Sequence, residues 1–222
     1  MINQISSRQW GRTIQACSLP PLAPASHVRQ KAVFLDRDGT LIVDKPYNAN
    51  PNEIEFLPGT VEGLAALRDA GYLLIVVTNQ SGIARGYFDE RALQAMHRRL
   101  SELLIPAGIT IAAYYYCPHH VDGKVPTLAR FCGCRKPSPG MILRAASDWS
   151  IDLHDSWLIG DSLSDAEAAS AAGCNAILVG GGHHGSNYPR VDTVADAARR
   201  IIASDGRERI GEVAGHRAVH PG

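Results

Sequence analysis

The sequence predicts an α/β fold built on a doubly wound, Rossmann-like parallel sheet. Short apolar runs alternate with amphipathic stretches of helical length, Gly, Asp or Asn punctuates the junctions, and acidic or hydroxyl residues follow several runs directly. With 222 residues, 45% hydrophobic and 20% charged, the chain suffices for one sizeable core.

Residues 1–30 lack periodicity, and Leu19-Pro20-Pro21-Leu22-Ala23-Pro24 discourages a helix, so they read as an extension lying on the outside or mobile. The main domain is expected over 31–205, with a polar, partly disordered tail over 206–222. It opens at Lys31 with a buried strand that ends in Asp36, Asp38, Gly39 and Thr40. A polar loop from Asp44 to Pro51 follows, then a helix near Thr60–Ala70 with Thr60 as its N-cap and Gly71 as its stop. Tyr72–Thr78 is the second strand and runs into Asn79-Gln80-Ser81-Gly82. Asp89 caps a helix to Leu104 in which Leu93, Met96 and Leu100 recur at helical spacing. Ile109–Tyr116 is the third strand, with one face of Tyr114-Tyr115-Tyr116 packed, and a Cys/His-rich loop runs to Pro139. Then come a helix over Gly140–Trp149, a strand over Ser156–Asp161, a helix over Asp165–Ala172, a strand over Asn175–Val179 and a helix near Val194–Ala203. No long insertion separates the first two strands, so no large cap domain is expected.

Composition narrows the partners. Lys plus Arg balance Asp plus Glu at 22 each and no basic run appears, so no nucleic acid is expected. No apolar run reaches membrane-spanning length and no secretory signal opens the chain, so no membrane partner is expected either. Five cysteines are an odd number, and Cys117, Cys132 and Cys134 cluster, which points to metal binding in a reducing compartment. A cytoplasmic monomer is the expectation.

In an open α/β sheet, ligands bind beyond the carboxyl ends of the strands. Asp36 and Asp38 follow the first strand, Thr78 and Asn79 the second, and Asp161 with Asp165 the fourth; Arg135-Lys136 precedes the helix before the fourth strand. These groups therefore converge on one crevice. Close carboxylates need a cation or a proton between them. A carboxylate can accept a phosphoryl group as an acyl phosphate, and a hard cation such as Mg²⁺ offsets its repulsion for an anionic substrate. A hydroxyl and an ammonium then hold the remaining phosphoryl oxygens as charge develops. Each element alone has a plainer reading: an Asp-Gly turn, a calcium loop, a polar Thr-Asn-Gln-Ser turn, a strand ending in Gly-Asp. All of them in order, each at a strand end, favour phosphoryl transfer.

Asp36-x-Asp38-Gly39-Thr40, Thr78, Lys136 and Gly160-Asp161-x-x-x-Asp165 resemble the four motifs of the haloacid dehalogenase superfamily of phosphohydrolases. The resemblance implies Asp36 as nucleophile, Asp38 as general acid and base, and Thr78 with Lys136 stabilising the transferring group. It assigns Mg²⁺ to Asp36, the Asp38 backbone carbonyl and Asp161. Asp165 is expected to orient Lys136.

Tyr116-Cys117-Pro118-His119-His120 and Cys132-Gly133-Cys134-Arg135-Lys136 add three thiols and imidazole, donors that suit tetrahedral Zn²⁺. Four protein ligands leave no open position, so such a zinc is structural. The plainer reading is buried free thiols beside an exposed histidine. Together with Val77-Thr-Asn-Gln-Ser-Gly-Ile-Ala-Arg-Gly86 and Cys134-Arg-Lys-Pro-x-Pro-Gly-Met141, these segments resemble the branch that removes the C7 phosphate of a heptose 1,7-bisphosphate. That resemblance implies Cys117, His119, Cys132 and Cys134 as zinc ligands, without His120. It implies substrate contacts from Asp44, Lys45, Pro46 and Tyr47, from Thr78, Asn79, Gln80 and Ser81, and from Arg135 and Lys136. Ser162 joins them, standing where some relatives place a lysine. Arg135, a planar fork beside Lys136, suits a second phosphate. A histidinol-phosphate phosphatase is the nearest alternative. A catalytically dead, zinc-stabilised binding module is the alternative from another class, and the intact Asp36, Asp38, Lys136 and Asp161 speak against it. Arg85 is another candidate for the second phosphate, with a solvated arginine as its plainer reading; His183-His184 reads as an exposed loop, Cys17 as a free thiol and Cys174 as a small core residue.

Overall fold

The computed structural model describes residues 30–181 and 187–205 in full, and the backbone of residues 11–13 and 206–215. His183, His184 and Cys17 lie outside the fully described residues. In chain order the elements are β1 (Gly11–Thr13), β2 (Ala32–Leu35), α1 (Thr60–Asp69), β3 (Leu73–Asn79), α2 (Ser81–Ala84), α3 (Glu90–Leu104) and β4 (Ala113–Cys117). They continue with α4 (Gly140–Trp149), β5 (Trp157–Gly160), α5 (Leu163–Ala172), β6 (Asn175–Val179), β7 (Arg190–Val191) and α6 (Val194–Gly215).

Among the described residues the strands form one sheet in the order β1-β4-β3-β2-β5-β6-β7, parallel throughout except for β1. Side chains alternate across it. Phe34, Ile75, Val77 and Tyr115 pack against α4 and α5, through Met141, Ile142, Ala166 and Ala169. Val33, Leu35, Leu74, Val76 and Tyr114 pack against α1, α3 and α6, through Leu64, Leu67, Met96, Leu100 and Ile201. Burial on both faces is why these strands read as unbroken apolar runs. The central strand β2 lies between β3 and β5, so the chain departs from it in both directions and a crevice opens at its carboxyl end.

Several expectations change. The extension before residue 31 contributes β1, which pairs antiparallel with Tyr114–Tyr116 of β4. Three residues are too few for any period to show, so nothing in the sequence marks that strand. Thr60 is not the N-cap of α1: Gly59 holds that position with φ 78, and the Thr60 hydroxyl donates to the Leu41 carbonyl at 3.0 Å. Tyr114, Tyr115 and Tyr116 are all buried, because both sheet faces are covered at β4. The third strand begins at Ala113, not Ile109, and the last helix continues to Gly215 where a tail was expected. Among the described residues, no helix is long and apolar enough to cross a membrane.

Candidate active site

Asp36 follows β2 and stays in the sheet, its backbone N–H donating to the Ile159 carbonyl of β5 at 2.9 Å. Lys136 crosses the crevice to meet it. The Lys136 ammonium lies 2.6 Å from Asp36 Oδ1 and 2.5 Å from Asp165 Oδ1, and donates to the Val77 carbonyl at 2.9 Å. All three charged side chains are buried. Burial works against the charge of Lys136, yet Asp36 and Asp165 outweigh it and hold the amine above the ordinary lysine range. Burial pushes the Asp36 carboxyl up to about 8, with Asp165 and Asp161 adding repulsion that Lys136 does not cancel. Asp161 is likewise raised, first by burial and then by Asp165.

Asp36, Asp161 and Asp165 each offer an oxygen, and these atoms all lie within 4.8 Å of one another. One ammonium among three carboxylates leaves a surplus of negative charge that a divalent cation would balance, and an all-oxygen donor set suits Mg²⁺. Two glycines permit the approach. Gly39 has φ 78, and a Cβ there would overlap the Asp161 carboxylate; a Cβ on Gly160 would overlap Asp165. Asp165 also closes the start of α5, its Oδ2 accepting from the Ser162 N–H at 3.1 Å and the Ser162 hydroxyl at 2.6 Å. The hydroxyl of Ser162, expected to contact substrate, is thus engaged in capping α5.

Asp38 lies outside that cluster. Arg37 grips both its oxygens through Nε and Nη2, at 2.8–3.1 Å, and Gln80 Nε2 donates to Oδ2 at 2.9 Å. The same Gln80 amide donates to Thr78 Oγ1 at 2.9 Å, linking the ends of β2 and β3. Asn79 exchanges two hydrogen bonds with the backbone of Lys136, at 3.0 and 3.1 Å, and so anchors the peptide from which the ammonium extends. Reading the residues one at a time did not find Arg37 or this use of Asn79 and Gln80, because pairing partners distant in sequence carry no local signal.

A cavity of about 320 Å³ opens beside Asp38, walled by Asp44, Lys45, Pro46, Tyr47, Gln80 and Ser81. Partial burial and then the Asp38 charge raise Asp44. A second cavity of about 260 Å³ adjoins Lys136, with Arg135, His120, Arg130 and Phe131 in its wall. Of the expected substrate residues, Asp44, Lys45, Pro46, Tyr47, Asn79, Gln80 and Ser81 line the first cavity and Arg135 and Lys136 the second, while Thr78 and Ser162 line neither. Arg85 is not a solvated arginine: three-quarters of its side chain is covered, with Nη2 3.3 Å from the His120 ring and 3.8 Å from Asp122.

In the loop after β4, Cys117, His119, Cys132 and Cys134 meet. The sulfurs are 3.2–3.5 Å apart, and His119 Nδ1 lies 3.3 Å from Cys134 Sγ and 3.7 Å from Cys117 Sγ. A tetrahedron of Zn–S bonds near 2.3 Å has edges of about 3.8 Å, so the four atoms nearly enclose one such ion. Hydrogen bonding from Cys134 pulls the Cys117 thiol down to about 6 against the effect of burial, while Cys134 is pushed up by the same contact and by burial. Three crowded sulfurs that share protons this unevenly form a natural cation site. The His120 ring instead meets Arg85 Nη2 at 3.3 Å and is not among the four.

A family model described as HAD-hydrolase-like matches residues 133–202. The D-glycero-beta-D-manno-heptose-1,7-bisphosphate 7-phosphatase of Pasteurella multocida is 43% identical over 151 residues, covering 68% of this chain and 82% of that one. The protein of the same name from Escherichia coli K12 is 43% identical over 141 residues, covering 64% and 74%. Among solved structures, D,D-heptose 1,7-bisphosphate phosphatase from B. bronchiseptica, complexed with magnesium and phosphate, superposes with a TM-score of 0.68 at 33% identity, over 79% of this chain and 99% of that one.

Proposed function

This chain belongs to the family of D-glycero-beta-D-manno-heptose-1,7-bisphosphate 7-phosphatases, HAD-like phosphoric monoester hydrolases, and we propose that it removes the C7 phosphate of that heptose bisphosphate. The observation that carries the proposal is the buried Lys136 ammonium held against Asp36 at the end of β2, with Asp161 and Asp165 closing the same crevice.

Lys136 occupies Asp36 Oδ1, which leaves Oδ2 to attack phosphorus. The bond from phosphorus to the sugar oxygen breaks, and Asp38 gives that oxygen its proton. Asp36 then carries the phosphoryl group as an acyl phosphate. In the second half, water attacks the same phosphorus, Asp38 takes the water proton, and Asp36 is regenerated as phosphate departs. Lys136 and the Thr78 hydroxyl stabilise the charge that develops on the phosphoryl oxygens. Asp36, Asp161 and the Asp38 carbonyl would hold Mg²⁺, which neutralises the phosphoryl oxygens and the carboxylates facing them. Arg37 and Gln80 fix Asp38 at the mouth of the larger cavity, where a leaving oxygen must pass. The sugar lies along Asp44, Lys45, Pro46, Tyr47 and Ser81, and Arg135 takes the second phosphate.

Zinc on Cys117, His119, Cys132 and Cys134 is structural. Cys134 is bonded directly to Arg135-Lys136, so the clamp fixes the backbone from which both cations extend and lowers the ordering cost of binding. The enzyme works as a cytoplasmic monomer, with 31–205 as its catalytic domain. A panel of purified sugar phosphates with Mg²⁺ tests the proposal, read as kcat/KM for phosphate release. The heptose bisphosphate should lead, Asp36→Asn should abolish release, and a higher kcat/KM on histidinol phosphate would overturn the substrate assignment.

A further inference from the structure

Two large exposed rings meet beside the larger cavity: Tyr47, which lines it, at 48% and Tyr87 at 55%. They touch each other, with ring centroids 4.6 Å apart and planes inclined by 50°. Tyr47 comes from the loop after β2 and Tyr87 from the turn after α2, so the contact joins two loops. Tyr47 has φ 54, a left-handed conformation that residues with a Cβ seldom adopt. Tyr87 has a firm base. Gly86 N–H donates to the Ile83 carbonyl at 3.0 Å and Tyr87 N–H to the Gly82 carbonyl at 2.9 Å, while Phe88 fills the space against Gly82.

The walls near Tyr47 are otherwise largely polar: Arg37, Asp38, Asp44, Lys45, Asn79 and Gln80. A sugar ring needs polar partners for its hydroxyls, and it also has a face of C–H groups that fits the negative face of an aromatic ring. Tyr47 lines this cavity. Its tilted contact with Tyr87 restricts the rotamers it can sample. We propose that Tyr87 is a positioning residue for specificity: it props Tyr47 as the platform on which the carbon face of a cyclic sugar phosphate lies. The proposal rests on the sugar-phosphatase reading and deepens it, by stating why a ring is preferred to an open-chain or ringless phosphate.

The test compares wild type, Tyr87→Ala and Tyr87→Phe on two substrates. One is the cyclic sugar phosphate that wild type hydrolyses most efficiently; the other is acetyl phosphate, which has no ring. Losing an aromatic contact of this kind is expected to raise KM for the sugar phosphate roughly three- to tenfold, with kcat changed less than about twofold. Kinetics on acetyl phosphate should move less than about twofold, and Tyr87→Phe should match wild type because the stacking ring is kept. Equal KM values for Tyr87→Ala and wild type on the sugar would overturn the proposal. So would an equal loss on both substrates, or a Tyr87→Phe variant as impaired as Tyr87→Ala. If wild type favours acetyl phosphate over every cyclic sugar phosphate, the platform is overturned as well. If it favours a cyclic sugar other than the heptose bisphosphate, only the named substrate fails and the comparison still decides the role of Tyr87. Thermal melts confirm that the exposed substitutions leave the fold intact.

Discussion

Lys136 shows how one buried charge depends on its neighbours. Its ammonium serves Asp36, Asp165 and the Val77 carbonyl at once, and removing it would leave two buried carboxylates without compensation. Breaking a buried pair from one side costs about 3–5 kcal/mol, so Lys136→Met should lose stability on that scale along with phosphatase activity. Adding Mg²⁺ should recover part of the lost stability, because the cation takes over the neutralisation of Asp36 and Asp161. A metal-independent melting temperature in that variant would contradict the shared charge balance. At this scale the sequence was informative about residue identity and silent about pairing. Asp36 and Asp161 stood out because each follows a short apolar run, and Lys136 because it precedes the helix before the fourth strand. The bridging of Asp38 to Thr78 by Gln80, and the Arg37 grip on Asp38, depend on how side chains cross between β2 and β3.

Among the elements, those bounded by strong local punctuation matched their expected limits. The strand Asn175–Val179 follows Gly173, which ends α5 with φ 82, and the helix Gly140–Trp149 starts after a proline-rich turn. The antiparallel β1 and the long α6 lacked such marks. The Gly39 turn leads to a sharp prediction. With φ 78 and the Asp161 carboxylate against its α-carbon, Gly39→Ala would strain the backbone and displace a proposed Mg²⁺ ligand together. Magnesium affinity, read by calorimetry, should fall by at least about tenfold, equivalent to roughly 1.4 kcal/mol. Retention of wild-type affinity would show that Asp161 is not a ligand. The loop from Cys117 to Cys134 has little regular structure of its own, so its order rests on the four clustered ligands and on the Lys124 and Val125 N–H groups that donate to the Ala84 carbonyl. Stripping zinc, verified by elemental analysis, should lower the melting temperature and reduce turnover while magnesium affinity survives. Unchanged turnover in zinc-free, magnesium-loaded protein would refute the clamp.

Across the whole molecule, two buried groups, His97 on α3 and Asp36 at the end of β2, push the pH dependence of stability in opposite directions. His97 stacks on Tyr114 at 4.3 Å, and burial, aided by Arg37, holds it well below the ordinary value of 6.5. The unfolded chain therefore binds a proton that the native protein refuses, and stability contributed by His97 is lost as pH falls below 6.5. Asp36 behaves the other way. Its carboxyl, raised from 3.8 to about 8, keeps a proton that the unfolded chain has released, so stability falls as pH rises across that interval. Just below 6.5 the two slopes oppose each other; between 6.5 and about 8 the Asp36 slope remains, opposed in zinc-free protein by the lowered Cys117 thiol. A decline of about 2 kcal/mol over that upper interval is expected in magnesium-free protein that keeps its zinc. Magnesium binds the ionised carboxylates, so its stabilising effect should grow through the same interval, with proton release on binding. Denaturant unfolding at several pH values, with Mg²⁺ and with chelator, measures both. His97→Phe keeps the stack on Tyr114 and removes two ring nitrogens that have no partner among the described residues; it should leave the Asp36 slope unopposed below 6.5 and the decline above 6.5 unchanged. Asp36→Asn should reduce the decline above 6.5 and leave the acid limb dominated by His97. Parallel curves with and without magnesium would mean that the charge surplus at the end of β2 is balanced by something other than the cation.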